Sequence, residues 1–422
     1  MTQRTSAKDT LKLNSLELTN FRCFEHLTCT FDPRCTLFYG INGSGKTALL
    51  EAVVVGLGAL FVNIDAFKVM LFRATDRRQV IREVGGLSSL EKPTPVSVRV
   101  DVTLNGKAAH WTVTPRSRQS LQGTHAGEWG RLTSGVAHRG KPIDLPVIVY
   151  YSASRLWNGH ADPSDTELNS RLDAYAGCLT ADTSLTPVAT WMRRLTFASV
   201  QKRSKSWHLA AIRSAVVGSL PEIRDFFYDI EAEELRVRFG DGTLQSMRLL
   251  SDGYRTMIGI AADLAWRAAM LNPHHRGNVV KRVDGVVLID EIDLHLHPTW
   301  QRRVLPSLVR TFPHVQFVAT THSPQVLASA KRTWTRTFNG ISEVRTGGYV
   351  EGRDSNSILV DIMGDRSRPK ERQDQLNEVL RLIDDEVFGE ARAALEKLEK
   401  VWGPDDPEIL RARALLMTLE AM

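Results

Sequence analysis

The octapeptide GINGSGKT at residues 40–47 constrains this chain more than any other stretch. It fits the pattern G-x-x-x-x-G-K-[ST]. Gly40, Gly43 and Gly45 permit the backbone curl that turns successive N–H groups toward a phosphate, with Asn42 and Ser44 completing the loop. Lys46 is placed to pair with the β- and γ-phosphates of ATP, and Thr47 to offer a hydroxyl to Mg²⁺. Such a loop works between a strand and the N-terminus of a helix, where the helix dipole favours an anion. CTLFY precedes it and ALLEAVVVGLGALF follows it, so an α/β core is required.

A second stretch, VVLIDEIDLHLHP at 286–298, fits the same chemistry. Four apolar strand residues deliver Asp290 to the carboxyl edge of a sheet, where it can hold the Mg²⁺ shell. Glu291 follows, placed to orient or deprotonate an attacking water. In VATTHSP, His322 stands just past another apolar run, where a neutral imidazole can reach the γ-phosphate or that water.

Along the rest of the chain, residues 12–39 alternate apolar and polar positions and read as two or three strands. Residues 94–115 read as a β-hairpin turning at Asn105-Gly106, followed by a polar stretch to about residue 140. PVIVYYSA at 146–153 reads as a buried strand, 164–229 as mainly helical, and LRVRF at 235–239 as a strand again. GVVLID at 285–290 and VQFVATT at 315–321 are rich in β-branched residues and a helix-length segment separates them, which predicts parallel strands with crossovers. In the tail, Leu376, Leu380, Ile383, Ala391, Leu395 and Leu398 recur at helical steps along two helices. Asp406-Pro407 supplies the N-cap and first residue of a third.

Composition adds limits. With 422 residues the chain has room for two or three domains. No window offers the roughly 18 apolar residues of a spanning helix, and the first fifteen residues lack the apolar core of a signal peptide, so the expectation is no membrane and a cytoplasmic location. Cys23, Cys29, Cys35 and Cys178 match no usual zinc spacing and read as packing residues. A net charge of +6 permits nucleic-acid binding without requiring it. Its densest source, residues 191–208, interleaves Arg193, Arg194, Lys202, Arg203 and Lys205 with Trp191, Phe197 and Trp207. Two readings stand for it: the solvated face of an amphipathic helix, and a surface that tracks DNA.

Together these motifs resemble the ATP-binding-cassette superfamily, in particular its soluble branch of SMC, Rad50, RecF and OLD-type proteins. That resemblance gives meaning to Leu250-Ser251-Asp252-Gly253, which stands just ahead of an apolar helix. In the superfamily such a signature binds the γ-phosphate of the nucleotide held by another subunit. Ser251 and Gly253 would then act in trans while Lys46, Asp290, Glu291 and His322 act in cis, and two ATPs would join two heads head-to-tail. NFRCF at 20–24 resembles the N-terminal loop of Rad50- and RecF-like heads, so Arg22 is a candidate nucleotide contact, with an exposed strand-end arginine as the other reading. Gln79 is the candidate for the loop glutamine that joins Mg²⁺ to the helical lobe. Tyr254-Arg255 departs from the glutamine or glutamate that usually follows the signature glycine in transporters.

The implied fold is an α/β head, a mixed sheet with a P-loop core, N-terminal antiparallel strands and a helical lobe. It would occupy residues 1–345, with an insert at about 60–240, followed by a helical partner-docking region at 346–422. The gap between Lys46 and Ser251 is too short for a long SMC-type coiled coil. The residues after His322 hold no acidic cluster of the kind an OLD-type nuclease uses, so the chain is expected not to be a nuclease itself. The chain resembles the ATPase subunit of Septu-type antiphage systems, including the version attached to some retrons, through DEIDLHLHPTWQRRVLPSLVRTFPHVQFVATTHSPQVL, GRDSNSILVDIMG and the tail with GPDDPEILRARALL. That similarity implies an ATPase that forms a homodimer or higher homo-oligomer and regulates a separate HNH nuclease. A capping role for the tail, a RecF- or Rad50-like DNA clamp in repair, and a non-hydrolysing scaffold are the alternatives.

Overall fold

Runs of β-branched and aromatic residues set the architecture. In the computed structural model, which describes residues 11–420 except 65–71, 85–86, 117–119, 140, 156–169, 181–184, 341 and 366–367, the chain divides into two units after Ser355. The sequence placed that boundary after residue 345.

In the larger unit three strands, β1 (Leu11–Phe21), β2 (Phe24–Thr30) and β3 (Cys35–Tyr39), lead to α1 (Lys46–Gly58). A short hairpin, β4 (Val80–Val84) and β5 (Leu87–Glu91), precedes the longer one of β6 (Ser97–Leu104) and β7 (Lys107–Val113), which turns at Asn105-Gly106 with φ values of 50° and 74°. Then come α2 (His125–His138), β8 (Val147–Tyr151), α3 (Thr186–Gln201) and α4 (Trp207–Ser219). A three-stranded antiparallel sheet follows, from β9 (Ile223–Asp229), β10 (Glu234–Phe239) and β11 (Leu244–Ser246), and leads to α5 (Asp252–Leu271). Finally β12 (Asp284–Ile289), α6 (Pro298–Thr311), β13 (His314–Thr321), β14 (Thr335–Asn339) and β15 (Glu343–Thr346) complete the unit.

The central sheet has the order β15-β14-β3-β13-β12-β8, and every pairing in it is parallel except that of β15 with β14. Burial explains the composition: β3, β8 and β12 are buried at every position, as strands covered on both faces must be. A second, antiparallel sheet, β2-β1-β6-β7, alternates buried and open positions along β6 and so has one covered face. Helix α1 packs against both sheets, which is why it is apolar nearly all round. The buried amide of Gln316 on β13 ties the layers: its Nε2 donates to the carbonyls of Leu13 (2.8 Å) and Asp32 (2.9 Å), and its Oε1 accepts from Leu13 N (2.8 Å).

Two stretches differ from the sequence reading. The polar stretch before residue 140 contains helix α2, and the segment expected to be helical to 229 ends in strand β9. Residues 164–169 and 181–184 of that segment lie outside the described residues. The cysteines are free thiols, with Cys29, Cys35 and Cys178 buried; burial pushes Cys29 and Cys178 up to about 12. In the basic stretch Trp191 and Trp207 both pack on His208, at 5.1 and 3.6 Å between ring centroids, while Arg194, Lys202, Arg203 and Lys205 are exposed.

The smaller unit is a helical bundle of α7 (Lys370–Asp384), α8 (Phe388–Trp402) and α9 (Pro407–Glu420). Val379, Ile383, Ala391, Leu395, Leu398, Ile409, Ala412 and Leu416 form its core. Asp406 caps α9, accepting from the N–H of Glu408 at 2.9 Å. The same carboxylate receives Arg368 Nη2 at 2.8 Å, and the Arg368 guanidinium lies 4.1 Å from the Trp402 ring centroid.

Candidate functional site

The site residues leave the carboxyl ends of four neighbouring parallel strands: the 40–47 loop follows β3, His322 follows β13, Asp290 and Glu291 follow β12, and Ser152 follows β8. Parallel pairing puts these ends on one edge, so residues far apart in sequence meet there.

Gly40, Gly43 and Gly45 take φ values of 151°, 78° and 93°, open to glycine at little cost. At Gly45 the need is also spatial, because a Cβ there would lie 2.4 Å from the Phe24 ring and 2.9 Å from Cys23 Sγ. A Cβ on Gly43 would meet nothing within 4 Å, so the loop faces open space at its crest. Asn42 is exposed beside it, whereas Ser44 is buried. The Lys46 ammonium, 6% exposed, donates to the carbonyls of Gly40 (3.0 Å) and Ile41 (2.8 Å) and to Ser44 Oγ (3.3 Å). Burial lowers its pKa, and the carboxylates of Asp290, Glu291 and Asp293 oppose that.

Thr47 Oγ1 donates to Asp290 Oδ2 at 2.9 Å, and Thr320 Oγ1 donates to Asp290 Oδ1 at 2.6 Å. Thr320 Oγ1 also accepts the N–H of Glu291 at 2.7 Å, so one hydroxyl holds both acids. Glu291 itself has φ 47°, a left-handed conformation that costs a non-glycine residue about 1–2 kcal/mol. The fork of Arg155 holds it there. That side chain is 1% exposed; Nη2 donates to the carbonyl of Glu291 at 2.7 Å, and Nη1 to that of Ser152 at 2.9 Å and to that of Asp290. Asp293 Oδ1 accepts from Thr321 Oγ1 at 2.6 Å and from the N–H of His322 at 3.4 Å, fixing the histidine's backbone. Burial lowers the pKa of His322, the Lys46 charge adds to this, and the imidazole is therefore neutral at pH 7.

Thr47 and Asp290 present a hydroxyl and a carboxylate oxygen to one point, a donor set that suits a hard cation such as Mg²⁺. Ser251 is exposed and opens α5 without a side-chain cap bond. Gly253 is buried beneath it, where a Cβ would lie 2.7 Å from the carbonyl of His295 and 3.1 Å from the Trp300 ring. None of the hydrogen bonds among the described residues joins 251–253 to the 40–47 loop. Further along α5, Asp263 receives Tyr151 Oη (2.6 Å) and Arg267 Nε (2.8 Å), a buried network that fastens the helix to β8. Arg22 is engaged by carboxylates, Asp76 at 2.8 Å and Glu51 of α1, and Gln79 is exposed ahead of β4.

Sequence reasoning passed over Arg155, Thr320 and Asp293. The last two were recoverable, since Thr320 adjoins His322 in VATTHSP and Asp293 lies in DEIDLHLHP. Nothing local distinguishes Arg155.

The model of a family described as "AAA domain" matches residues 15–180, and that described as "AAA domain, putative AbiEii toxin, Type IV TA system" matches residues 178–328. The chain is 36% identical over 176 residues to the retron Ec83 probable ATPase of Escherichia coli, covering 40% of this chain and 31% of that protein. It is 31% identical over 172 residues to the Septu protein PtuA of Bacillus thuringiensis, covering 37% and 42%. The match thus spans less than half of either relative. Among solved structures, the SMC head domain from Thermotoga maritima covers 80% of this chain and 99% of that one, at 14% identity and a TM-score of 0.37. Among the described residues no helix is long and apolar enough to cross a membrane. The two AAA-domain matches between them run from residue 15 to residue 328, each over less than half of the chain, and show AAA-type ATPase domain sequence there.

Proposed function

We propose that the chain binds ATP at the 40–47 loop and hydrolyses it, and that two copies join head-to-tail around the nucleotide to regulate a separate HNH-type nuclease in antiphage defence. The observation that carries the reading is the 2.9 Å bond between Thr47 and Asp290, which brings the helix behind the phosphate loop onto the acidic strand end. The similarity to proteins named as a retron ATPase and as Septu PtuA supports the defence setting.

In this mechanism the N–H groups of the loop and the first turn of α1 receive the phosphates. Lys46 turns from the loop carbonyls to the β- and γ-phosphates. Thr47 and Asp290 would hold Mg²⁺, which would supply charge neutralisation. Glu291 orients a water against the γ-phosphorus and takes its proton as the bond from the bridging oxygen to the γ-phosphorus breaks. Neutral His322 donates a hydrogen bond to the γ-phosphate or the water, and Ser251 with Gly253 of a second copy closes over the γ-phosphate.

Glu291→Gln is expected to keep ATP affinity and accumulate the dimer, whereas Lys46→Ala loses binding. Equal affinity in both variants counts against the assignment. The trans arrangement has a sharper test. Lys46→Ala and Ser251→Arg, each inactive alone, restore one intact site per mixed dimer, so mixing them recovers turnover; additive inactivity refutes the head-to-tail pairing. Deleting residues 356–422 is expected to release the nuclease in an affinity purification.

The exposed Arg194, Lys202, Arg203 and Lys205 favour a second reading, a DNA clamp of the RecF or Rad50 type. Binding of duplex DNA whose log affinity falls with log salt at a slope near −0.9 per phosphate contact would support it.

A further inference from the structure

We propose that Asp144, His274 and His275 form a binding site for a divalent transition metal, with Zn²⁺ the ion it suits, apart from the nucleotide site. One ligand atom from each residue lies within 4.8 Å of the other two. Both imidazoles converge on one oxygen: His274 Nε2 and His275 Nε2 each stand 2.6 Å from Asp144 Oδ1. A plain ion pair needs one histidine. Two imidazolium rings with centroids 4.2 Å apart repel, whereas two neutral rings offer two lone pairs beside a carboxylate, a set completed by a shared cation.

The surrounding backbone is fixed as a ligand frame requires. Asn272, 1% exposed, clamps the two segments: Leu145 N donates to its Oδ1 at 2.7 Å, and its Nδ2 donates to the carbonyl of Leu145 at 2.9 Å. The ligands sit beside that clamp, Asp144 ahead of β8 and the histidines in the turn after α5. Arg276, next in the turn, has φ 48° and ψ −133°, a region costly for any residue but glycine, and such strain gathers at ligand clamps. The side chains remain reachable, with His274 26% and His275 13% exposed.

Zn–N and Zn–O bonds near 2.0–2.2 Å put tetrahedral ligand atoms about 3.3 Å apart, so the contacts to Asp144 need to open by only about 0.7 Å. Three protein ligands leave a fourth position for water or a group from another chain. Neutral nitrogen donors disfavour Mg²⁺ here, which separates this site from the all-oxygen pair of Thr47 and Asp290. A bound ion would link the strand that leads to Arg155 with the helix that begins at Ser251.

The test uses the full chain without a histidine tag, stripped of metal and titrated with Zn²⁺ against a chromogenic chelator. One equivalent is expected to bind and to raise the melting temperature, and Co²⁺ in its place to show the visible bands of a four-coordinate site. In His274→Ala/His275→Ala the affinity falls by at least about tenfold, and Asp144→Asn, which keeps the side-chain shape, also weakens it. A wild-type chain that takes up no stoichiometric Zn²⁺, or equal affinity in wild type and both variants, overturns the proposal.

Discussion

Replacing Arg155 with methionine is expected to slow ATP turnover while leaving ATP affinity nearly unchanged. The side chain is 1% exposed and donates to three carbonyls, those of Ser152, Asp290 and Glu291. Burial alone works to discharge it, and the neighbouring Asp290, Asp293 and Glu291 oppose that, so the cation belongs to the acidic edge it supports. A net contribution of about 1 kcal/mol per bond gives roughly 3 kcal/mol of restraint on the loop. Against it stands the left-handed backbone of Glu291 at φ 47°, which relaxes at a gain of about 1–2 kcal/mol once the fork is gone. If the productive conformation is then held in one molecule in ten to one in a hundred, turnover falls about 10- to 100-fold, or 1.4 to 2.8 kcal/mol. No described bond of Arg155 reaches the 40–47 loop, so the dissociation constant for ATP should move less than about threefold. Arg155→Lys keeps the charge without the fork and should fall between. The measurement pairs steady-state phosphate release with equilibrium binding of a fluorescent ATP analogue. Turnover within twofold of wild type, or affinity lost in step with turnover, refutes a positioning role for Arg155.

Other outcomes are expected from the titrating groups. His322 has a lowered pKa, so its neutral form persists through neutral pH, and turnover should decline only below the ordinary histidine range; in His322→Asn that acid limb should vanish from the pH–rate profile. Burial works to raise the Asp406 pKa, but Arg368 and the N–H groups of Glu408 and Ile409 more than offset it and leave it lowered. Its contribution is therefore complete above the unfolded carboxylate value of about 3.9 and is lost as pH falls through the lower folded value. Asp406→Ala should cost the tail bundle about 1 kcal/mol at neutral pH in a urea melt and flatten that acid dependence. Gly253→Val should destabilise the larger unit by about 1–3 kcal/mol by driving the side chain into the His295 carbonyl and Trp300, measurable as a lowered melting temperature.

Much of the candidate site was legible because its signals are local. A phosphate loop needs glycines at fixed offsets, and Gly40, Gly43 and Gly45 take the positive φ values those offsets demand. Strands buried on both faces must be apolar throughout, so VIVYY and GVVLI announce themselves. The tail helices follow from the spacing of Ile383, Ala391, Leu395 and Leu398, and from Asp406 as a cap. Helix α2 was hidden because Gly127, Gly130 and Gly135 argue against a helix, and its burial against neighbouring elements overrides that preference. Strand β9 was hidden because IRDFFYD shows its alternation only once β10 is paired beside it.

The sequence alone determined that the 40–47 loop, the acid pair and His322 each follow an apolar strand, and on that placement the proposed nucleotide site rests. The tertiary structure decided how they are held. The strand order puts β3, β13, β12 and β8 side by side, so Thr320 reaches both Asp290 and Glu291, and Arg155 arrives from β8 to fix the backbone of Glu291. A buried cation gripping three carbonyls leaves no periodic trace in a sequence, because its partners are backbone atoms that every residue carries.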